Sequence, residues 1–148
     1  MSEGRYDAIV IGGGVVGSSI AFHLKRLGCG NVLLLERGQA CRGGTAKSCA
    51  IIRTHYSIAT NTELAVRGLE IFRNFADYLG DPEAESGFVH SRYLFLAPDG
   101  PLADLLRRNL EMQAQHGAQT YEITHEEARV MHPRLNLDDI AAIGFEPQ

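Results

Sequence analysis

The chain has 148 residues, of which 45% are hydrophobic and 22% are charged, and its formal net charge at pH 7 is -4. This is the composition of an ordinary globular protein with enough apolar residues for one core of domain size. The acidic balance excludes a nucleic-acid groove, which would show a stripe of basic residues, so we expect no nucleic-acid partner.

Targeting segments and metal sites are not expected. Residues 8–22 are uncharged, but the run is too short and too rich in glycine to span a membrane, and it lacks the basic flank of a secretory signal. Cys29, Cys41 and Cys49 fit neither a zinc pattern nor a CxxC pair, and the six histidines form no ligand set. An odd cysteine count without a signal predicts free thiols in a reducing compartment, and we therefore predict a cytoplasmic location.

The first predicted elements form one βαβ unit. Residues 7–11 are a continuous apolar run, typical of a strand buried on both faces of a parallel sheet. Residues 15–27 have helical periodicity, and Gly28 follows as a helix-ending residue. Residues 31–36 predict a second buried strand, so the three elements have the length that a βαβ unit needs.

The turn between the first strand and the helix carries a GxGxxG motif. Its residues are Gly12, Gly13, Gly14, Val15, Val16 and Gly17. After a buried strand, the first glycine allows a tight turn, the second lets the backbone approach a pyrophosphate, and the third lets helix and strand pack closely. The helix N-terminus adds N–H donors and partial positive charge. The motif predicts a dinucleotide phosphate site; the alternative is a glycine-rich turn that binds nothing.

Glu36 ends the second predicted strand, where a carboxylate accepts hydrogen bonds from ribose hydroxyls and repels a 2′-phosphate. The predicted cofactor is therefore an adenine dinucleotide other than NADP. The βαβ unit alone does not show whether the cofactor is NAD or FAD. The segment after Glu36 favours FAD, because it consists of small residues where a simple NAD-binding domain would continue with another helix and strand. Such a loop can fold back under a long cofactor. Its members are Gly38, Gly43, Gly44, Thr45 and Ser48.

The rest of the chain alternates helices and strands. Thr124 and Glu127 have capping-box spacing and predict the start of a short helix. The other predicted elements are an amphipathic helix over residues 62–79, an aromatic-rich strand over residues 88–97, a helix over residues 102–116 and a strand over residues 140–145.

Several of these segments resemble the FAD-dependent amine and amino-acid oxidase family, which includes glycine oxidase, D-amino-acid oxidase and sarcosine oxidase. The resemblance is carried by RYDAIVIGGGVVGSSIAFHL, by LLLER and by GGTAKSCAIIRTHY, and it is nearest to the β subunit of heterotetrameric sarcosine oxidase. It implies an α/β fold, in which a Rossmann-type FAD-binding βαβ unit precedes the start of a mixed α+β substrate domain. We expect residues 1–80 to belong to the first part and residues 81–148 to the second.

The resemblance also implies an activity. The family oxidises a secondary amine or amino acid, such as sarcosine or a similar N-methyl or D-amino acid, by hydride transfer to the flavin and hydrolysis of the imine. Family members are longer than this chain, so an incomplete fold that is inactive alone is expected, with other subunits of a hetero-oligomeric oxidase as possible partners. The alternatives are an NAD-linked oxidoreductase and a non-catalytic dinucleotide-binding subunit.

Family roles carry over to matching residues of this chain. Arg53 matches an arginine that faces the substrate carboxylate, for which a guanidinium fork is suited; the alternative is an internal salt bridge. Some relatives bind flavin covalently through a histidine in the preceding loop, but residues 45–49 contain none, so non-covalent FAD is expected. Cys49 is expected to be buried and inert, with a reactive thiol near the flavin as the alternative, and His55 to be a packing or polar residue. The implied cofactor residues are Gly12, Gly14, Gly17, Glu36, Arg37, Gly43, Gly44, Thr45 and Ser48.

Overall fold

A parallel βαβ unit opens the chain, in a computed structural model that describes residues 4–147. Strand β1 (Ala8–Ile11) pairs with β2 (Val32–Leu35) in parallel, with Ala8 opposite Val32. Helix α1 (Val15–Arg26) connects them. The predicted unit is confirmed, and its strands are slightly shorter than the apolar runs suggested.

Helix α1 ends where its sequence predicts. Gly28 has φ +83, a conformation that glycine adopts at little cost, and its N–H donates to the carbonyl of Lys25 at 3.1 Å. The N–H of Cys29 then reaches back to the carbonyl of Leu24 at 2.9 Å. These bonds satisfy carbonyls of the last turn, and the chain can enter β2.

The small sheet leaves apolar side chains exposed. Val10 is buried, but Ile9 is 57% exposed and Ile11 is 86% exposed. Apolar runs of this kind are typical of strands covered on both faces, but among the described residues a single helix follows the glycine turn and no third strand joins the pair. A continuous apolar run identifies such a strand without showing what covers it.

The second unit contains a three-stranded antiparallel sheet. Its strands are β3 (Tyr93–Pro98), β4 (Tyr121–Glu122) and β5 (Ile140–Glu146), and β5 lies in the middle. Helix α4 (Pro101–Gln115) packs Leu106 and Leu110 against Gly144 of β5. Buried Ile143 and Phe145 belong to a separate cluster with residues from the loops and helix that follow β4. The central strand therefore contributes to two cores.

Two predicted elements have different bounds. The helix predicted over residues 62–79 is two helices, α2 (Ala59–Arg73) and α3 (Phe75–Leu79). They are separated by Asn74, whose backbone leaves the helical region and whose side-chain amide donates to the carbonyl of Glu70 at 3.0 Å. The strand predicted from residue 88 begins only at Tyr93. Aromatic content alone therefore overstated its length.

The capping box and the later elements are confirmed. Thr124 Oγ1 accepts the N–H of Glu127 at 3.2 Å, and the Glu127 carboxylate accepts the N–H of Thr124 at 2.7 Å. This exchange begins helix α5 (His125–Met131). The predicted α/β fold class is confirmed. The division into compact units falls between Ile51 and Ile52 and does not test the domain boundary expected at residue 80, which stays a prediction.

Across residues 4–147, no helix combines the length and apolar character needed to cross a bilayer. The three cysteines are free thiols, as predicted. Cys49 is exposed, however, so the expectation of a buried cysteine there is wrong. It lies between Ser48 and Ala50 in a loop without regular structure, which offers no core to enclose it.

Candidate dinucleotide-binding site

The glycine turn has the geometry that the motif predicts. Gly12 has φ +105, which strongly favours glycine, and its N–H donates to the carbonyl of Leu35 at 2.8 Å. A Cβ at Gly17 would overlap the carbonyl oxygen of Gly12, so helix α1 approaches the end of β1 as closely as backbone allows. A Cβ at Gly14 would lie 3.0 Å from Thr45 Oγ1. The three glycines are thus required for three different reasons.

The N-terminus of α1 presents free donors. Gly14 is its N-cap and supplies no side-chain cap, and the N–H of Val15 donates to Thr45 Oγ1 at 2.9 Å. Within the described part of the chain, the N–H groups of Val16 and Gly17 have no protein acceptor. Unpaired N–H groups at a helix N-terminus attract an anion. A pyrophosphate therefore fits the turn.

Glu36 is tied to the same turn. Its Oε2 accepts the N–H of Gly13 at 2.8 Å and its Oε1 accepts the N–H of Gly38 at 2.9 Å. These two hydrogen bonds, chiefly the one from Gly13, lower the pKa of the Glu36 carboxyl below its usual value. The side chain is exposed, and each oxygen keeps capacity for a further donor. Glu36 can therefore accept hydrogen bonds from ribose hydroxyls as a carboxylate.

The loop after β2 folds back onto the glycine turn, as the sequence suggested. The N–H of Cys41 donates to the carbonyl of Gly13 at 2.9 Å, and the carbonyl of Cys41 accepts the N–H of Ala46 at 2.9 Å. A short 3₁₀ turn, Thr45–Lys47, then brings Thr45 to the start of α1. The backbone role of Cys41 was not predicted from the sequence. Its φ is +63, a conformation that a cysteine in the sequence does not indicate.

Other predicted cofactor residues lie outside this cluster. Arg37, Gly43 and Gly44 are exposed, and in the described residues no hydrogen bond joins them to the glycine turn. Ser48 Oγ accepts the N–H of Ala50 at 3.1 Å and so shapes the loop locally. The structure thus brings together the GxGxxG residues, Glu36 and Thr45 but not these four, and the cofactor roles of all of them stay predictions that a cofactor complex would test.

Arg53 belongs to the second unit and lies in a segment without regular secondary structure. Its guanidinium carbon is 5.4 Å from the ring centroid of Tyr56, a cation–π distance. The side chain is exposed, and the structure shows no salt bridge to Arg53 from any described residue. The internal salt bridge considered as the alternative role is therefore not found. No cluster of described His, Cys, Asp or Glu side chains could hold a metal.

A parallel βαβ unit with a glycine turn, free helix N-terminal donors and a carboxylate at the end of β2 defines a dinucleotide-binding protein. The chain belongs to the DAO family of FAD-dependent oxidoreductases, whose profile matches residues 7–148. Membership confirms the family resemblance that these sequence motifs carry. The family is FAD dependent, which also confirms the choice of FAD over NAD.

Curated and solved relatives agree with this assignment. The chain is 34% identical over 149 residues to the Bos taurus FAD-dependent oxidoreductase domain-containing protein 1, covering 95% of this chain and 30% of that protein. It is 23% identical over 142 residues to Mus musculus mitochondrial sarcosine dehydrogenase, covering 96% and 15%. The crystal structure of L-proline dehydrogenase from P. horikoshii matches with TM-score 0.82 and 29% identity, covering 97% of this chain and 37% of that one. The chain thus spans about a third or less of the curated relatives' length.

Proposed function

We propose that the protein containing this chain oxidises a secondary amine or an amino acid, such as sarcosine or a similar N-methyl or D-amino acid. The observation that carries the proposal is the match of residues 7–148 to an FAD-dependent family. Relatives named sarcosine dehydrogenase, dimethylglycine dehydrogenase and glycine oxidase support an amino-acid substrate. Bound FAD would supply the oxidant for this reaction, taking up a hydride equivalent from the substrate, and water would hydrolyse the resulting imine.

In this proposal the first unit holds the adenosine half of FAD. The N–H groups of Val16 and Gly17 bind the pyrophosphate at the N-terminus of α1, and the missing Cβ of Gly14 lets the Thr45 hydroxyl approach the turn. Glu36 binds the ribose hydroxyls, and Thr45 holds the loop against the turn. Residues 45–49 contain no histidine, which supports non-covalent FAD.

Arg53 is the proposed ligand of the substrate carboxylate. Its guanidinium carries a permanent charge and a planar set of donors that matches a carboxylate. Its exposure, and the lack of an acidic partner among the described residues, support this role because the charge is left for an external anion. Arg53 would thus orient the substrate.

The proposal is tested by purifying the intact protein and recording its spectrum. We expect flavin absorbance that is released into the supernatant when the protein is denatured by acid, as non-covalent FAD requires. Anaerobic sarcosine or another N-methyl amino acid should bleach this absorbance, whereas methylamine, which lacks the carboxylate, should not. Activity with NAD and no bound flavin would contradict the proposal.

A non-catalytic role is the second candidate. The mitochondrial pyruvate dehydrogenase phosphatase regulatory subunit of Mus musculus is 24% identical over 143 residues, covering 96% of this chain and 16% of that protein. A relative named as a regulatory subunit supports a dinucleotide-binding subunit without a substrate of its own. It also supports the proposal that the partners of this protein include other subunits. FAD that binds tightly but is reduced by none of the amino acids would favour this role.

The cytoplasmic location stays a prediction. Sarcosine dehydrogenase and dimethylglycine dehydrogenase among the relatives are named as mitochondrial proteins, which supports a mitochondrial location as the competing proposal. Fractionation of cells that express the intact protein with a C-terminal tag would separate the two.

A further inference from the structure

A buried carboxylate lies beside the segment that carries Arg53. Glu146, the last residue of β5, has no exposed surface, and its Oε1 accepts two hydrogen bonds from Thr54. One comes from the N–H of Thr54 at 2.5 Å and the other from its Oγ1 at 2.7 Å. Thr54 is itself 2% exposed. The contact joins residues that are 92 positions apart in the chain.

Burying the Glu146 carboxylate and the backbone of Thr54 would cost free energy if their polar groups had no hydrogen-bond partners. Residues 51–56 have no regular secondary structure, so the N–H of Thr54 needs an acceptor from elsewhere in the fold. A buried carboxylate loses its hydration and must recover it from directed donors. Thr54 supplies both of the hydrogen bonds that Oε1 of Glu146 accepts, and hydrogen bonds to a carboxylate are shorter and stronger than those between neutral groups. The result is a fixed backbone position next to Arg53.

The residues that follow are fixed as well. The carbonyl of Tyr56 accepts a hydrogen bond from Gln113 Nε2 at 2.8 Å, and Gln113 is fully buried in α4. The ring of His55 stacks on Phe95 of β3, with centroids 3.6 Å apart. Three successive residues are thus attached to β5, β3 and α4. Arg53, which is exposed, directly precedes these three anchored residues.

We propose that Glu146 is a positioning residue, which holds Thr54 and thereby places Arg53 for the substrate carboxylate. The proposal rests on the role of Arg53 given under the proposed function. It extends that role by assigning to the buried Glu146 side chain the anchor of Thr54, the residue that directly follows the arginine. Catalytic groups held by a supporting shell lose activity when they move by about 1 Å, with costs that reach roughly 100-fold.

The test uses the intact FAD-containing protein and substitutions at Thr54. Thr54→Val keeps the shape of the side chain and removes the hydroxyl donor, whereas Thr54→Ser keeps that donor and is the matched control. We expect Thr54→Val to raise KM for a carboxylate-bearing amine about tenfold, with flavin content and kcat near normal, and Thr54→Ser to behave as wild type. The KM for the corresponding carboxamide should not change, because it lacks the charge that Arg53 binds.

A double-mutant cycle separates this proposal from a merely structural role. Glu146→Gln keeps an acceptor oxygen and removes the charge. Its KM provides an independent test if Thr54→Val does not fold. In an Arg53→Lys background, Glu146→Gln should add little to KM, because its effect passes through Arg53. Independent effects that multiply, or an unchanged KM in the wild-type background, would overturn the positioning role. If Arg53→Lys alone leaves KM unchanged, the substrate role of Arg53 itself fails.

Discussion

The carboxylate of Glu36 accepts the N–H of Gly13 at 2.8 Å, so the end of β2 is hydrogen-bonded to the glycine turn that follows β1. The carboxyl ends of β1 and β2 are thereby joined at the place where a dinucleotide binds in a βαβ unit. The contact means that the predicted ribose ligand and the predicted pyrophosphate turn are one structure. Substitutions at Glu36 and in the glycine turn therefore affect the same site.

Glu36→Gln should weaken FAD binding in the intact protein. A neutral amide is a poorer acceptor for the ribose hydroxyls and for the two backbone N–H groups that the carboxylate now binds. We expect the Kd for FAD to rise on the order of tenfold. Titration of the apoprotein with FAD measures it, and Glu83→Gln, at an exposed position in the second unit, is the control. An unchanged Kd would count against the ribose assignment.

Gly17→Ala should destabilise the βαβ unit. The added Cβ would overlap the carbonyl oxygen of Gly12, and backbone atoms must move to relieve the clash. Overpacking of this kind costs about 1–3 kcal/mol. Gly68→Ala, inside α2, is the matched control, because a Cβ there meets no atom within 4 Å and the residue has no proposed role in cofactor binding. Thermal unfolding should show a lower Tm and reduced flavin content for Gly17→Ala alone; equal behaviour of the two variants would contradict the close approach of α1 to the end of β1.

Arg53→Lys should affect substrate and leave the cofactor bound. Lysine keeps the positive charge but loses the planar pair of donors that binds a carboxylate. We expect a large rise in KM for carboxylate-bearing amines with near-normal flavin content, measured by steady-state kinetics and by absorbance. Loss of flavin with normal residual kinetics would instead make Arg53 a cofactor or structural residue.

His55 should remain neutral at pH 7. Burial lowers the pKa of its ring below 6.5, the nearby Glu146 carboxylate opposes that shift, and the charge of Arg53 adds to it. The unfolded chain then binds more protons than the native state just below pH 6.5, so stability is highest above that pH and is lost as the pH falls through the lowered pKa. An NMR titration should give a midpoint below 6.5. His55→Phe, which can keep the ring contact with Phe95, should flatten the stability profile in this range; a midpoint above 6.5 would refute the prediction.

The 148-residue chain expressed alone should aggregate or bind a hydrophobic dye, and it should not retain FAD. Ile11, Leu27 and Val16 are each more than two-thirds exposed, at 86%, 83% and 69%. Exposed apolar groups of this kind, beside a two-stranded sheet that no other described strand extends, promote association. Size-exclusion chromatography and dye fluorescence measure the outcome. A monomeric, yellow and cooperatively unfolding protein would contradict this expectation.

The amino-acid sequence by itself determined the elements whose signals are local. The GxGxxG motif with its flanking apolar runs predicted the βαβ unit, and Thr124 with Glu127 predicted the start of α5. These predictions succeed because a tight turn, a helix cap and a buried strand depend on residues a few positions apart. The same local reading joined α2 and α3 into one helix, because Asn74 is compatible with a helix until its side chain competes for the carbonyl of Glu70.

Only the tertiary structure decided which distant groups meet. The bond from Val15 to Thr45 spans 30 positions, and the bonds from Thr54 to Glu146 span 92. No periodicity or spacing in the sequence encodes such pairs, because each partner satisfies a backbone or hydroxyl group that becomes buried only when the chain folds. Burial of Glu146 at the end of β5, and with it the support for Arg53, therefore follows from packing of β5 rather than from any motif.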